Sequence, residues 1–374
     1  MSKTRNKKVL VAMSGGVDSS VSAALLKEKG YDVSGVFMIF QKKELSVCHY
    51  ENKCCSQESM EQARQVATKL NIPFYVMDFS VEFQKRVIDY FIREYKNGRT
   101  PNPCVMCNKF IKLGLLLDKA LAMGFNYVAT GHYVNATADS LQLTVNRKPS
   151  AVSCKPYALY AAKDKTRDQS YFLYNLTQNK LAHLLFPLGD YLKSQVWQMA
   201  KERGLIIPKT ESRGICFVKD NNVANFLAQV IKFKKGPIKD IKNQKVLGKH
   251  HGLQLYTIGQ RQAIGIGGTG PFYVVKLDLA NNTLWATNNP KDSALFSDSL
   301  MATNVHWISG QKSRLPFKCQ ARIRYGHKTA NCVVNDNRGV YFVKFSKPQR
   351  AITPGQSIVF YGMRHEMLGG GIIN

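Results

Sequence analysis

The first two hundred residues alternate continuous apolar runs with stretches in which apolar side chains recur every three or four positions. The runs Val9–Met13, Val33–Phe40, Phe74–Phe79 and Tyr127–Thr130 predict strands covered on both faces, since such strands are apolar throughout instead of at alternate positions. Helices are predicted between them. Gln57–Leu70 places Met60, Ala63, Ala67 and Leu70 on one face, and Ser20–Lys29, Val81–Asn97 and Ile111–Met123 each stop at a glycine, Gly30, Gly98 and Gly124. Repeated βα units imply an α/β fold with a doubly wound parallel sheet, whose ligand sits at the carboxyl ends of the strands. From about residue 212 the pattern changes to short β-rich runs: Leu253–Ile258, Phe272–Leu277, Thr283–Ala286, Cys319–Tyr325, Ala330–Val334, Val340–Phe345 and Ser357–Phe360. Asn281-Asn282 and Asn337-Arg338-Gly339 fit hairpin turns. The expected organisation is an α/β domain over 1–211, a small β-rich domain over 212–297 and a C-terminal β-barrel over 298–374.

Length agrees with more than one unit, because single cores stop growing at about 250–300 residues and the chain has 374. No run approaches the roughly 20 apolar residues that a membrane-spanning helix needs, and the basic start Met1–Lys8 leads directly into a strand, so the reading is cytoplasmic. Lys and Arg number 53 against 25 Asp and Glu, a formal charge of +28 spread along the chain. A polyanionic partner follows from that excess, without separating RNA from DNA or an anionic lipid. Nine cysteines in such a chain point to sulfur, redox or metal chemistry instead of a disulfide framework.

The strongest chemical signal is Ser14-Gly15-Gly16-Val17-Asp18-Ser19-Ser20, directly after the first strand. Two glycines let backbone N–H groups approach an anion, and hydroxyls follow where a helix N-terminus is partly positive. The lysine-bearing Gly-x-x-x-x-Gly-Lys-Ser/Thr loop is absent. The segment resembles the loop of the ATP-pyrophosphatase (PP-loop) superfamily, whose members cleave ATP to AMP and pyrophosphate to activate an oxygen. A second signal is Pro101-Asn102-Pro103-Cys104-Val105-Met106-Cys107, two prolines ahead of a Cys-x-x-Cys, and a third is Arg213-Gly214-Ile215-Cys216-Phe217. By themselves a half zinc site and a buried inert thiol explain these cysteines equally well. Cys48, His49, Cys54 and Cys55 form a further loop cluster, open to metal binding, redox chemistry or no role.

Taken in order, Ser14–Ser20, Thr100-Pro101-Asn102-Pro103, Cys107-Asn108-Lys109, Ala129-Thr130-Gly131-His132-Tyr133, Asp168–Leu173, Gly214–Phe217, Thr257–Arg261 with Gly265–Gly268, Arg322–Tyr325 and Thr353–Gln356 resemble the tRNA-specific 2-thiouridylases along the whole chain. The resemblance implies adenylation of O2 of the wobble uridine in tRNAs for Lys, Glu and Gln, followed by displacement of AMP by persulfide sulfur. It implies ATP and Mg2+ as cofactors, tRNA as substrate, and a cysteine desulfurase or sulfur-relay protein as donor. Position by position, Cys216 is expected to carry the persulfide and Cys107 to attack it, by sulfide release or by closing a Cys107–Cys216 disulfide. Ala12, Met13, Ser14, Gly15, Gly16, Val17, Asp18, Ser19, Met38 and Gly131 are expected at ATP; Asn102, Pro103 and Cys104 at the target base; and His132, Arg167, Asp168, Gln169, Arg324, Tyr325 and Gln356 at tRNA. Cys104 departs from the family, many of whose members carry Asp there as a general acid/base. Cys104, Cys107 and Cys216 are therefore also considered as ligands of an iron–sulfur cluster. The competing readings are another PP-loop adenylating enzyme, which needs no cysteine pair, and a non-catalytic tRNA-binding protein.

Overall fold

The computed structural model describes residues 6–41, 56–138, 157–205, 214–266, 270–311 and 315–374. Strands β1 (Lys8–Ala12), β2 (Asp32–Ile39), β3 (Phe74–Asp78), β4 (Tyr127–Ala129) and β7 (Leu184–Leu185) form a parallel sheet in the order β3-β2-β1-β4-β7. Alternation along β1 and β2 divides their side chains between two cores. Val9, Val11, Val33 and Phe37 face α1 (Val17–Glu28), α2 (Gln57–Lys69) and α8 (Lys193–Glu202). Leu10, Val36 and Met38 face the helices of residues 80–122. Both faces are buried, which is why these strands read as continuous apolar runs.

The helices over 80–122 are less regular than predicted. A π-helical stretch, Gln84–Ile88, joins α3 (Ser80–Phe83) to α4 (Asp89–Lys96), and a second, Asn108–Leu115, joins α5 (Pro103–Cys107) to α6 (Leu116–Ala122). Such wide turns inside a helix concentrate at functional sites. The predicted helix at Ile111 therefore begins at Pro103, with both cysteines of the Cys-x-x-Cys on its first turns.

The middle region forms a four-stranded sheet of β8 (Gly236–Asp240), β9 (Val246–His250), β10 (Tyr273–Asp278) and β11 (Thr283–Thr287), over a core that includes Leu253 and Tyr256. The strand expected at Leu253–Ile258 is not one. Leu253–Leu255 is a 3-10 turn, and Leu253 and Tyr256 turn inward as a corner of that core, so their apolar character reports burial without a ladder partner. Beyond it, β12 (Phe296–Trp307), β13 (Phe317–Arg322), β14 (Ala330–Asn337), β15 (Val340–Arg350), β16 (Ser357–Tyr361) and β17 (Glu366–Ile373) run in the order β12-β15-β14-β13-β16-β17 and close into a barrel through β12–β17. The predicted β14–β15 turn is present, with Arg338 and Gly339 at φ 51° and 89°. Two strands from the N-terminal half, β5 (Val134–Ala138) and β6 (Tyr157–Ala161), extend this sheet by pairing β6 with β17. No helix among the described residues is long and apolar enough to cross a membrane.

Candidate functional site

The Ser14–Ser20 loop sits at the carboxyl end of β1 and opens α1, as the doubly wound topology requires of a ligand site. Gly15 has φ 75°, and a Cβ there would collide with the Ser59 carbonyl in the first turn of α2. Only glycine fits this close approach of loop and helix. Ser19 Oγ accepts from the Ser14 N–H at 3.2 Å and donates to the Gly16 carbonyl at 3.0 Å, fixing the loop. Ser20 is fully buried and its hydroxyl donates to the same carbonyl, so it stabilises the helix start instead of facing a ligand. Met13, Val17 and Met38 are buried side chains, which leaves their backbone as the part a nucleotide can reach. Gly131 packs against the loop from β4: a Cβ on it would lie 3.0 Å from Ser19 N.

One member of this site carries no motif. Lys193, the first residue of α8, donates to both oxygens of Asp18 at 2.7 and 2.8 Å, and the Tyr133 hydroxyl donates to Oδ1 at 2.8 Å. The Lys193 side chain is 10% exposed and the Asp18 side chain 34%. Asp164 accepts the Lys193 N–H at 2.9 Å and so orients the helix start. Burial and the adjacent Asp18 charge push the Tyr133 phenol well above its ordinary value, keeping it a hydrogen-bond donor. Tyr133 lies in a sequence motif; Lys193 could have been found only from its spatial partner.

The cysteine loop is built by a cap and a clamp. Asn102 caps α5, its Oδ1 accepting the Val105 N–H at 3.4 Å, with Pro103 at the first helical position. The segment before it is held by both later regions of the chain: the Thr100 N–H donates to the Pro354 carbonyl (2.9 Å), Gln356 Nε2 donates to the Thr100 carbonyl (2.9 Å), and the Thr100 and Thr257 hydroxyls are 3.1 Å apart. Cys104 is half-buried and Cys107 buried. Cys216 occupies a turn closed by the Val218 N–H on the Ile215 carbonyl at 3.0 Å, and Gly214 ahead of it has φ 97°. Phe217 anchors this turn, its ring centroid 5.8 Å from Phe83, 5.1 Å from Phe91 and 5.4 Å from Phe226. Cys107 belongs to the same apolar cluster, and Cys216 packs against it. Both are thiols here.

Several residues expected at tRNA are engaged within the chain. Asp168 is buried; its Oδ1 accepts the Ala162 and Ser170 N–H groups at 3.2 and 3.1 Å, and its Oδ2 accepts Ser170 Oγ at 3.0 Å and Arg322 at 3.2 Å. Gln169 Oε1 accepts the Tyr133 N–H at 2.9 Å. Arg324 donates to Thr353 Oγ1 at 2.7 Å and reaches the Ile258 carbonyl at 3.5 Å, joining barrel to middle sheet. Burial among Thr130, Phe186 and Lys112 pushes the His132 imidazole down to about 3, so its ring is neutral at ordinary pH. Arg167 precedes this group, its N–H donating to the Asp164 carbonyl at 3.1 Å. Tyr325 is the exposed aromatic of the set, its ring 4.6 Å from Phe172.

The described residues contain no group of three or more His, Cys, Asp or Glu placed to hold a metal ion. Among the described residues, then, Cys104, Cys107 and Cys216 are not gathered into such a set. Cys48, His49, Cys54, Cys55, Cys154, Arg213 and Gly267-Gly268 lie outside the described residues. Cys319 and Cys332 face each other across β13–β14 in the barrel core, sulfurs 3.6 Å apart.

Three family profiles match the chain in succession: a tRNA methyl transferase HUP domain over residues 7–220, a tRNA methyl transferase PRC-barrel domain over 224–288 and an aminomethyltransferase beta-barrel domain over 297–373. The tRNA-specific 2-thiouridylase MnmA 1 of Thermoanaerobacter sp. (strain X514) is 44% identical over 374 residues, covering 99% of this chain and 98% of that protein. The chain belongs to the tRNA-specific 2-thiouridylase family. The MnmA proteins of Halothermothrix orenii and Legionella pneumophila subsp. pneumophila are 46% and 41% identical, each over 98% of both chains. Family membership accounts for the co-occurrence of the glycine loop with paired cysteines, which neither motif explains alone.

Proposed function

We propose that this protein thiolates the wobble uridine of tRNAs for Lys, Glu and Gln at C2, consuming ATP and releasing AMP and pyrophosphate. The observation that carries the reading is the sharing of one apolar cluster by Cys107 and Cys216 in the same sheet unit as the Ser14–Ser20 loop. ATP is taken up by backbone groups of Ala12 to Ser19, with Met38 and Gly131 flanking the cradle. Mg2+ is ordinarily bound by one or two carboxylates together with substrate phosphates; Asp18 is the carboxylate at this loop, and the ion would offset phosphate charge there.

Attack by uridine O2 on the α-phosphate expels pyrophosphate and leaves AMP on O2, turning a poor leaving group into a good one. The Cys216 persulfide, loaded by a cysteine desulfurase or relay protein, then supplies sulfur. The Cys107 thiolate attacks the inner sulfur, forming a Cys107–Cys216 disulfide and expelling sulfide; sulfide adds to C2 and AMP leaves with the O2–C2 electron pair. A thiol reductant returns two electrons to the disulfide before the next cycle. Asn102 and Pro103 present Cys104 to the base at the partly positive end of α5, and a proton that Asp handles elsewhere in the family passes here through solvent or the Cys104 thiol. Arg167, Tyr325 and the cationic surface meet the tRNA, with Asp168, Gln169, Arg324 and Gln356 holding the surfaces it touches. The anticodon base reaches the site splayed from its stack, as single-stranded RNA recognition permits.

Cys107→Ser and Cys216→Ser test the assignment by mass spectrometry of anticodon nucleosides and by AMP formation. Each variant is expected to lose 2-thiouridine while still releasing pyrophosphate with tRNA present. Full thiolation by Cys216→Ser would refute the sulfur-transfer reading.

A further inference from the structure

A cavity of about 520 Å3 opens where the π-helical stretches of the cysteine-bearing region meet β12 and β17 of the barrel. Lys85, Arg86, Arg93 and Lys109 line it, and no Asp or Glu does. None of the four is ion-paired among the described residues, whose salt bridges use other cations. Like charges gathered in a concave surface focus a positive field, and holding them together without a counterion is unfavourable. Burial and the nearby Lys180 ammonium lower the Lys109 value, in keeping with an uncompensated cluster. Aromatic rings keep the cationic heads extended: Arg86 lies 5.0 Å and Lys109 5.1 Å from the Phe110 ring centre, and Arg93 lies 5.8 Å from that of Tyr90. The volume is larger than one phosphate requires. Cations interleaved with aromatic faces in a groove are the chemistry of single-stranded nucleic acid, whereas an acidic peptide needs no stacking surface.

We propose that this cavity receives the sugar-phosphate backbone of the tRNA substrate, beside the helix that carries Cys107. The inference rests on the function proposed above and adds a binding site outside the residues assigned to tRNA by family position. Arg86 and Arg93 stand seven residues apart, about two helical turns, and line the cavity together with Lys85 from the wide turn at Gln84–Ile88.

The test compares the whole protein with a Lys85→Gln/Arg86→Gln/Arg93→Gln variant, leaving Lys109 intact beside Cys107. Binding of an unmodified tRNA-Lys transcript is measured between 50 and 200 mM KCl, with ATP binding as the control for folding. Each lost phosphate contact removes about 0.7–0.9 from the slope of log affinity on log salt, so the variant is expected to show a slope shallower by roughly 2 to 3, with ATP affinity unchanged. In the wild-type protein, bound tRNA should also protect Lys85 and Lys109 from acylation, a readout independent of any substitution. A wild-type protein that binds the transcript but shows no such protection, or a folded variant with an unchanged slope, overturns the cavity assignment and leaves the proposed function standing. Unchanged tRNA binding with lost sulfur delivery from a persulfidated donor would reassign the cavity to an acidic protein. A wild-type protein that neither binds nor thiolates tRNA overturns both proposals.

Discussion

The Asp18–Lys193 pair offers the most demanding test of the phosphate-loop geometry, because its two halves act with opposite sign. Lys193→Met removes an ammonium that makes two hydrogen bonds to Asp18, at 2.7 and 2.8 Å. The carboxylate is left beside the loop with the Tyr133 hydroxyl as its remaining described partner. A charge-assisted hydrogen bond contributes about 1.5–3 kcal/mol, and with a third of the Asp18 side chain exposed to solvent the pair is worth about 1–2 kcal/mol after screening. An uncompensated negative charge at a cradle for triphosphate should therefore weaken ATP binding about 5- to 30-fold in Lys193→Met. Asp18→Asn in the same chain removes the repelling charge, so the double variant should bind ATP without Mg2+, in excess EDTA, more tightly than Lys193→Met alone under the same conditions. ATP affinity by calorimetry across the four-protein cycle gives the coupling directly. Effects additive to within about 0.3–0.5 kcal/mol would show that the pair is not energetically linked and refute the reasoning.

Phe217→Ala removes a ring that is 3% exposed and meets three other aromatic rings; a loss of about 3–5 kcal/mol is expected by denaturant unfolding, with thiolation falling further than ATP binding as the Cys216 turn loosens. Gln356→Ala deletes the bond to the Thr100 carbonyl and should cost about 0.5–1.5 kcal/mol, read as a several-fold lower thiolation rate at unchanged ATP affinity. The folded His132 ring takes up a proton only near pH 3, whereas the unfolded chain does so near pH 6.5. The unfolded state then binds more protons, so the stability contributed by neutral His132 is present above pH 6.5 and is lost as pH falls toward 3. His132→Gln should flatten that acid limb of the unfolding midpoint against pH.

Much of the sheet unit was readable because β1, β2 and β4 are covered on both faces and so are apolar runs broken by helices at a clear period; the edge strand β3 is an apolar run too, yet its Tyr75 and Val76 are exposed. The loop at Ser14–Ser20 was readable because its glycines and hydroxyls have a local purpose. Lys193 was not, since a lysine opening a helix looks like any solvated residue until Asp18 is seen beside it. The barrel strand β17 was missed for a related reason. It contains Gly369-Gly370-Gly371, which reads as a breaker, yet these glycines let the strand lie tightly against both β12 and β16; a Cβ on Gly370 would stand 2.8 Å from the Tyr174 ring. The π-helical turns leave no distinct sequence period. Polar residues such as Asp168 and Gln356 were legible as important, but their partners within the chain were not, because sequence alone does not show which groups a side chain meets in the fold.

The strands β5 and β6, joined to the barrel sheet, make the C-terminal fifth of the chain inseparable from the rest. An isolated two-stranded hairpin is only marginally stable, so deleting residues 298–374 would strip the hairpin of β17, its flanking neighbour among the described residues, and present a raw edge of the kind that recruits other chains. Truncated forms should accordingly be recovered as aggregates, not as a smaller enzyme awaiting its partner piece, and grafting the terminal barrel onto another nucleotide-binding scaffold would require transplanting the hairpin with it.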